Sequence, residues 1–152
     1  MKSFFLGIGS NIDPKKNIPA CLELLKKNFS VTKISSIYET EPVGPAGKAK
    51  FWNLAVRIET ELDAKTLEME VQRLEERLGR KRDPANKFAA RTIDIDLLPQ
   101  PGFEEQAFLM IPLAEIAPRE KATDGRSFEE IATELGKIPG ALQKVRKLLV
   151  PF

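Results

Sequence analysis

The segment Lys87-Phe88-Ala89-Ala90-Arg91-Thr92-Ile93-Asp94-Ile95-Asp96-Leu97-Leu98 alternates two carboxylates with aliphatic residues, directly after a loop crowded with cations. Successive side chains of a β-strand point to opposite faces. The pattern therefore predicts an oily face of Ile93, Ile95 and Leu97 and an acidic face of Thr92, Asp94 and Asp96. Residues two apart on a strand stand about 7 Å apart, and like charges drawn to ~4 Å repel by roughly 4 kcal/mol at an effective dielectric of ~20. A positive group between them would relieve that repulsion. Hard divalent cations such as Mg2+ take oxygen ligands and commonly bind through one or two carboxylates plus substrate phosphates, so an Asp-x-Asp strand reads as a metal platform. The plainer alternative is the solvated face of an edge strand, neutralised by Arg91 or Lys87. Aspartate is disfavoured inside strands, however, and two in one short strand argue for a reason beyond solubility.

Composition narrows the chemistry further. The 152 residues contain no histidine, which removes the usual general base, the commonest metal ligand and every Ser-His or Cys-His pair. Carboxylates, cations or metal must carry any reaction. The lone cysteine, Cys21, cannot close an internal disulfide and reads as helix packing among Ile18, Leu22 and Leu25. With 24 basic and 22 acidic residues the formal charge is +2, too small to draw the chain onto nucleic acid or an anionic membrane. The apolar run from Phe4 to Ile8 is too brief for a signal-peptide core or a membrane span, so a cytoplasmic location is expected. A content of 42% hydrophobic and 30% charged residues fits one soluble domain over residues 1–152.

The elements that must position the aspartates follow from periodicity. Ser3 to Ile8 is expected as a buried strand and Gly7-Ile8-Gly9-Ser10-Asn11 as the turn leaving it. Asp13 as N-cap and Pro14 at the first helical position open a helix whose apolar face is Ile18, Cys21, Leu22 and Leu25, with Asn28 as its stop. Val31 to Tyr38 and Phe51 to Thr60 read as strands, joined by a long loop holding Pro42, Gly44, Pro45 and Gly47. A second helix after Asp63 carries Leu67, Val71, Leu74 and Leu78 and stops at Gly79. Beyond Pro112 come short helical pieces, one opened by a Ser127/Glu130 capping box. Strand, helix, strand, strand, helix, strand predicts an α+β ferredoxin-like sandwich, a mainly antiparallel sheet with helices on one face and the other left for ligands. A doubly wound dinucleotide fold fits poorly, because the third glycine of its fingerprint is Ile12 here.

With these motifs in place, the chain resembles the 6-hydroxymethyl-7,8-dihydropterin pyrophosphokinase family. The resemblance runs through Leu6-Gly7-Ile8-Gly9-Ser10-Asn11, Ser35 to Pro45, Phe51-Trp52-Asn53, Arg91-Thr92-Ile93-Asp94-Ile95-Asp96 and Pro112-Leu113-Ala114-Glu115-Ile116-Ala117-Pro118. It implies the ferredoxin-like fold and transfer of pyrophosphate from ATP to the hydroxymethyl group of the pterin, releasing AMP, in folate biosynthesis. By the same resemblance Asp94 and Asp96 are ligands of two Mg2+ ions, and Arg80 and Arg91 grip the phosphates, flanked by Arg82 and Lys87. Gln72, Glu75, Leu97 and Gln100 match nucleotide-contacting positions, with ordinary surface helix residues as the alternative for Gln72 and Glu75. Phe88 stands where the family usually has tryptophan on a mobile loop. For the pterin the resemblance implies stacking by Phe51 and Phe108, an edge-reading amide at Asn53, and wall contacts from Thr40 and Val43, with core packing as the alternative for both phenylalanines.

The chain departs from the family between Asp96 and Phe108, where the usual form carries more strand and a Pro-His-Pro-Arg-like segment. Here Pro99-Gln100-Pro101-Gly102 stands in its place, so Gln100 replaces a histidine and Gly102 an arginine. Glutamine still donates a hydrogen bond but cannot become cationic. Weaker nucleotide binding is the expected consequence, and a pterin-binding member with impaired or lost transfer is the alternative reading. A third reading, an RNA-binding ferredoxin-like sheet, conflicts with a doubly acidic strand beside the basic loop. No nucleic acid, membrane or obligate protein partner is expected.

Overall fold

The computed structural model describes residues 1–40, 50–79, 93–137 and, for the backbone, 145–148. Six strands make one sheet: β1 (Lys2–Ser10), β2 (Ser30–Ile34), β3 (Ile37–Thr40), β4 (Phe51–Thr60), β5 (Asp94–Leu98) and β6 (Val145–Leu148). Their order is β5-β1-β4-β3-β6, with β2 and β3 pairing to successive stretches of β4, and each of these pairings is antiparallel. Among the described residues four α-helices accompany it: α1 (Pro14–Asn28), α2 (Ala64–Arg77), α3 (Ala107–Ile116) and α4 (Phe128–Gly136). This is the expected ferredoxin-like α+β sandwich.

Strand alternation sorts the side chains into two cores. Leu6, Ile8, Leu54, Val56, Ile58 and Ile95 face α1 and α2, meeting Ile18, Cys21 and Leu25 of the first helix and Leu67, Val71 and Leu74 of the second. The opposite parity, Ala55 and Leu98 with Phe5 beside them, meets Leu109, Met110 and Leu113 of α3 and Phe128 and Ile131 of α4. The two long helices thus share one face as expected, while α3 and α4 cover part of the face that the sequence left for ligands. α3 begins before Pro112 and runs through it, although a proline reads as a stop. Pro112 supplies no N–H to the Phe108 carbonyl one turn back. Burial compensates, because five of the ten α3 residues are buried, including Pro112 itself.

Local chemistry explains the remaining boundaries. The expected single strand from Val31 to Tyr38 divides at Ser35-Ser36. There the Ser35 amide donates to the Ala55 carbonyl at 2.8 Å, and the Ala55 amide donates to the Ser35 hydroxyl at 2.8 Å. The hydroxyl stands in for a ladder carbonyl, a competition open to serine. Asp13 lies in the left-handed region (φ 42°) and makes no side-chain cap, unlike the expectation. Asp63 does cap α2, accepting from the Thr66 amide at 2.8 Å, and Gly79 takes a φ of 90° just beyond that helix. The Ser127 hydroxyl likewise accepts from the Glu130 amide at 3.1 Å. Cys21 is fully buried, and burial, reinforced by the charge of Glu75, pushes its thiol up to about 12. It is a packing residue. Among the described residues no helix is long and apolar enough to cross a membrane.

Candidate active site at the acidic edge strand

β5 ends the sheet on one side. Ile93 and Ile95 are buried in the first core, which turns Asp94 and Asp96 to the other face, where both are half-buried. Register then says what lies beside them. Asp94 pairs with Gly9, Gly9 with Asn53, and Asn53 with Tyr38, so one row crosses four strands. The neighbouring row is Asp96, Gly7 and Ala55, and Thr40 pairs with Phe51 on the same face. Strands lie about 4.8 Å apart, which sets the backbones of Asp94 and Asn53 about 10 Å apart across a glycine.

Those glycines belong to β1, not to a turn, and each leaves room that a neighbour uses. A Cβ on Gly9 would stand 2.8 Å from Asn53 Oδ1 and 3.7 Å from Phe51 Cδ1, and one on Gly7 would stand 2.5 Å from Leu109 Cδ2. The Asn53 amide thus lies over Gly9. Its Nδ2 donates to Thr40 Oγ1 at 2.7 Å, in a buried bond that fixes the plane of the amide. Gly9→Ala should push Asn53 out of that plane while leaving the strand pairing intact. The resemblance assigns Asn53 to the pterin edge, and on that assignment the expected outcome is a loss of pterin affinity of about tenfold, the scale of one disturbed hydrogen bond, with a lowered thermal midpoint because the displaced amide is buried. Ligand titration beside a melting curve checks both halves.

On the other side of β5 stands α2. Glu75 is 2% exposed, and its Oε2 accepts from the Ile95 amide, between the two aspartates, at 2.9 Å. An ordinary surface role is therefore excluded for Glu75, whereas Gln72 is exposed. A cleft of about 550 Å³ opens between α2, β5 and the turn after it, and its walls include Gln72, Glu75, Asp96, Leu97 and Gln100. Five sequence-predicted site residues thus meet in one cavity. Lys65 and Glu68 line it too and were missed. The spacing 65, 68, 72, 75 is one helical stripe, the signal that could have found them.

Phe51 opens β4 on the aspartate face and is half-buried, while Phe108 on α3 packs half-buried against the second core. Val43, Arg80, Arg82, Lys87, Phe88 and Arg91 lie outside the described residues. Among the described residues no group of three or more His, Cys, Asp or Glu side chains could enclose a metal. Asp94 and Asp96 offer only oxygen donors on one half-buried face, a set that suits a hard cation completed by phosphate oxygens and water.

Residues 5–118 match the family model of 7,8-dihydro-6-hydroxymethylpterin-pyrophosphokinase (HPPK). The chain is 35% identical over 145 residues to 2-amino-4-hydroxy-6-hydroxymethyldihydropteridine pyrophosphokinase of Bacillus subtilis (strain 168), covering 83% of this chain and 86% of that one. It is 28% identical to the Pseudomonas aeruginosa protein of the same name, covering 90% and 97%. The fold matches a crystal structure of Plasmodium falciparum HPPK-DHPS with pteroate at a TM-score of 0.78 and 12% identity, over 97% of this chain. The chain spans 46% of that longer protein, and the likeness carries the fold alone.

Proposed function

The chain belongs to the 7,8-dihydro-6-hydroxymethylpterin-pyrophosphokinase family, and from that premise we propose that it transfers pyrophosphate from ATP to 6-hydroxymethyl-7,8-dihydropterin through the site around β5. The hydroxymethyl oxygen attacks the β-phosphorus, the bond from that phosphorus to the α,β-bridging oxygen breaks, AMP leaves, and the hydroxyl proton passes to water. Residues 1–152 act as one catalytic unit in the cytoplasm on these two small substrates.

The supporting observation is that Asp96 belongs to two places at once. It lines the α2–β5 cleft with Gln72, Glu75, Leu97 and Gln100, and its sheet face is that of Asn53 and Phe51. We assign the nucleotide to the cleft and the pterin to the sheet face, so donor and acceptor meet at the aspartates. Asn53 reads the polar edge of the pterin, Phe51 and Phe108 stack on its ring, and Thr40 and Val43 contribute wall contacts. Arg80 and Arg91, flanked by Arg82 and Lys87, hold phosphate oxygens with the forked donors of a guanidinium, while Phe88 excludes water. Asp94 and Asp96 would hold two Mg2+ ions. When bound, such ions neutralise phosphate charge and polarise the attacked phosphorus.

The test is AMP release from ATP and 6-hydroxymethyl-7,8-dihydropterin with Mg2+, carried to millimolar ATP because of the short segment after Asp96. Pterin-dependent AMP formation is expected. Folded protein that binds the pterin without releasing AMP would instead establish a binding member of the family.

A further inference from the structure

The Pro112 to Pro118 segment takes no part in the reaction proposed above, yet its one carboxylate is held at three points. Glu115 Oε1 accepts from the Tyr38 hydroxyl at 2.5 Å, and Oε2 accepts from the Ser36 amide at 2.8 Å and the Ser36 hydroxyl at 3.1 Å. Tyr38 is 8% exposed, and burial together with this bond raises its hydroxyl above the ordinary tyrosine range. A negative charge in the last turn of a helix is unfavourable to the helix itself. Glu115 sits in the last turn of α3, so its benefit must come from β3. Next to it, Lys33 Nζ donates to the Ile116 carbonyl at 3.3 Å, a second tie from the β2–β3 side to the end of the same helix.

What these ties connect is the site. Tyr38 is the cross-strand neighbour of Asn53, and two residues further along β3 Thr40 accepts from the Asn53 amide. On α3, Phe108 precedes Glu115 by two helical turns and therefore lies along the same side of the helix. We propose that Glu115 and Tyr38 are positioning residues for the pterin: their bond fixes α3 against β3 and thereby sets the spacing between Phe108 on the helix and Phe51 and Asn53 on the sheet. This rests on the assignment of the pterin to that face. The aspartates and the α2–β5 cleft lie on the far side of β1 and feel the tie little.

Tyr38→Phe removes one hydroxyl and keeps the ring, and Glu115→Gln keeps an acceptor but loses the charge. Pterin binding, followed by the fluorescence of the pterin itself, is expected to weaken about tenfold in each variant. The double variant should lose less than the two single losses combined, because both changes act on the same Tyr38–Glu115 contact, while Glu115→Gln also disturbs the Ser36 bonds. KM for ATP should stay within about twofold of the parent, and thermal midpoints report separately on folding. Pterin binding unchanged in Tyr38→Phe, or equal losses for ATP and pterin, would overturn the inference while leaving the pyrophosphokinase reading intact. A parent protein that does not bind pterin at all would remove that reading and the inference with it.

Discussion

Asp94→Ala/Asp96→Ala is expected to lower pterin-dependent AMP release by on the order of 10³-fold or more, the scale of losing the groups that stabilise charge on a transferring phosphoryl unit. Folding should survive. Both side chains are half-buried, on the open face of a strand whose opposite face, Ile93 and Ile95, supplies the core contacts. Pterin binding should persist, because the proposed pterin contacts Asn53, Phe51 and Thr40 lie two or three strands away from β5. Asp94→Asn/Asp96→Asn refines the test by keeping shape and removing charge. If that variant is as inactive as the alanine one, charge is the requirement; if it retains most of the activity, the aspartates serve as hydrogen-bond acceptors and the metal assignment falls. A Mg2+ titration of the single variants should show a raised requirement for metal before a lowered maximum rate.

The acidic strand was legible because period-two alternation is a local signal, and so were α1, α2 and β4, whose apolar positions repeat at the helical or strand period. Three features were hidden for physical reasons. α3 is apolar at every position but Glu115 and contains Pro112, so neither amphipathic periodicity nor breaker rules mark it. Glu75 looks like any polar residue on an amphipathic helix, and only the approach of β5 makes it a buried acceptor. The glycines of β1 suggest a turn or nucleotide loop in isolation. Their use becomes visible only when β4 and α3 bring Asn53 and Leu109 to within contact of them. In each case the deciding partner is distant in sequence, so local propensity is overridden by tertiary context. The resemblance to the pyrophosphokinase family supplied roles that periodicity could not, and the cleft gathers four such positions, Gln72, Glu75, Leu97 and Gln100, around Asp96.

The second large effect is expected at Glu75. Glu75→Ala leaves the Ile95 amide without this acceptor in a buried setting, which costs about 1–3 kcal/mol before any cavity contribution. For a domain of this size that corresponds to a fall in thermal midpoint of roughly 2–12 °C. Activity should fall by about 10²-fold, since the amide in question sits between Asp94 and Asp96 and its tether fixes where the two carboxylates point. Glu75→Gln separates the two roles of the position. Its carbonyl oxygen can still accept from Ile95, so the midpoint should recover and much of the rate with it. An internal reporter is available at Cys21, whose thiol is raised first by burial and then by the charge of Glu75. Loss of that charge should lower the Cys21 pKa, while burial keeps it above its ordinary value. The thiolate form would then appear at lower pH in Glu75→Gln than in the parent. A variant in which Cys21 titrates unchanged, the midpoint is unchanged and only KM for ATP rises would make Glu75 a nucleotide contact alone. Concerted loss of midpoint and maximum rate in Glu75→Ala, restored by glutamine, would make the helix-to-strand tether part of the catalytic geometry.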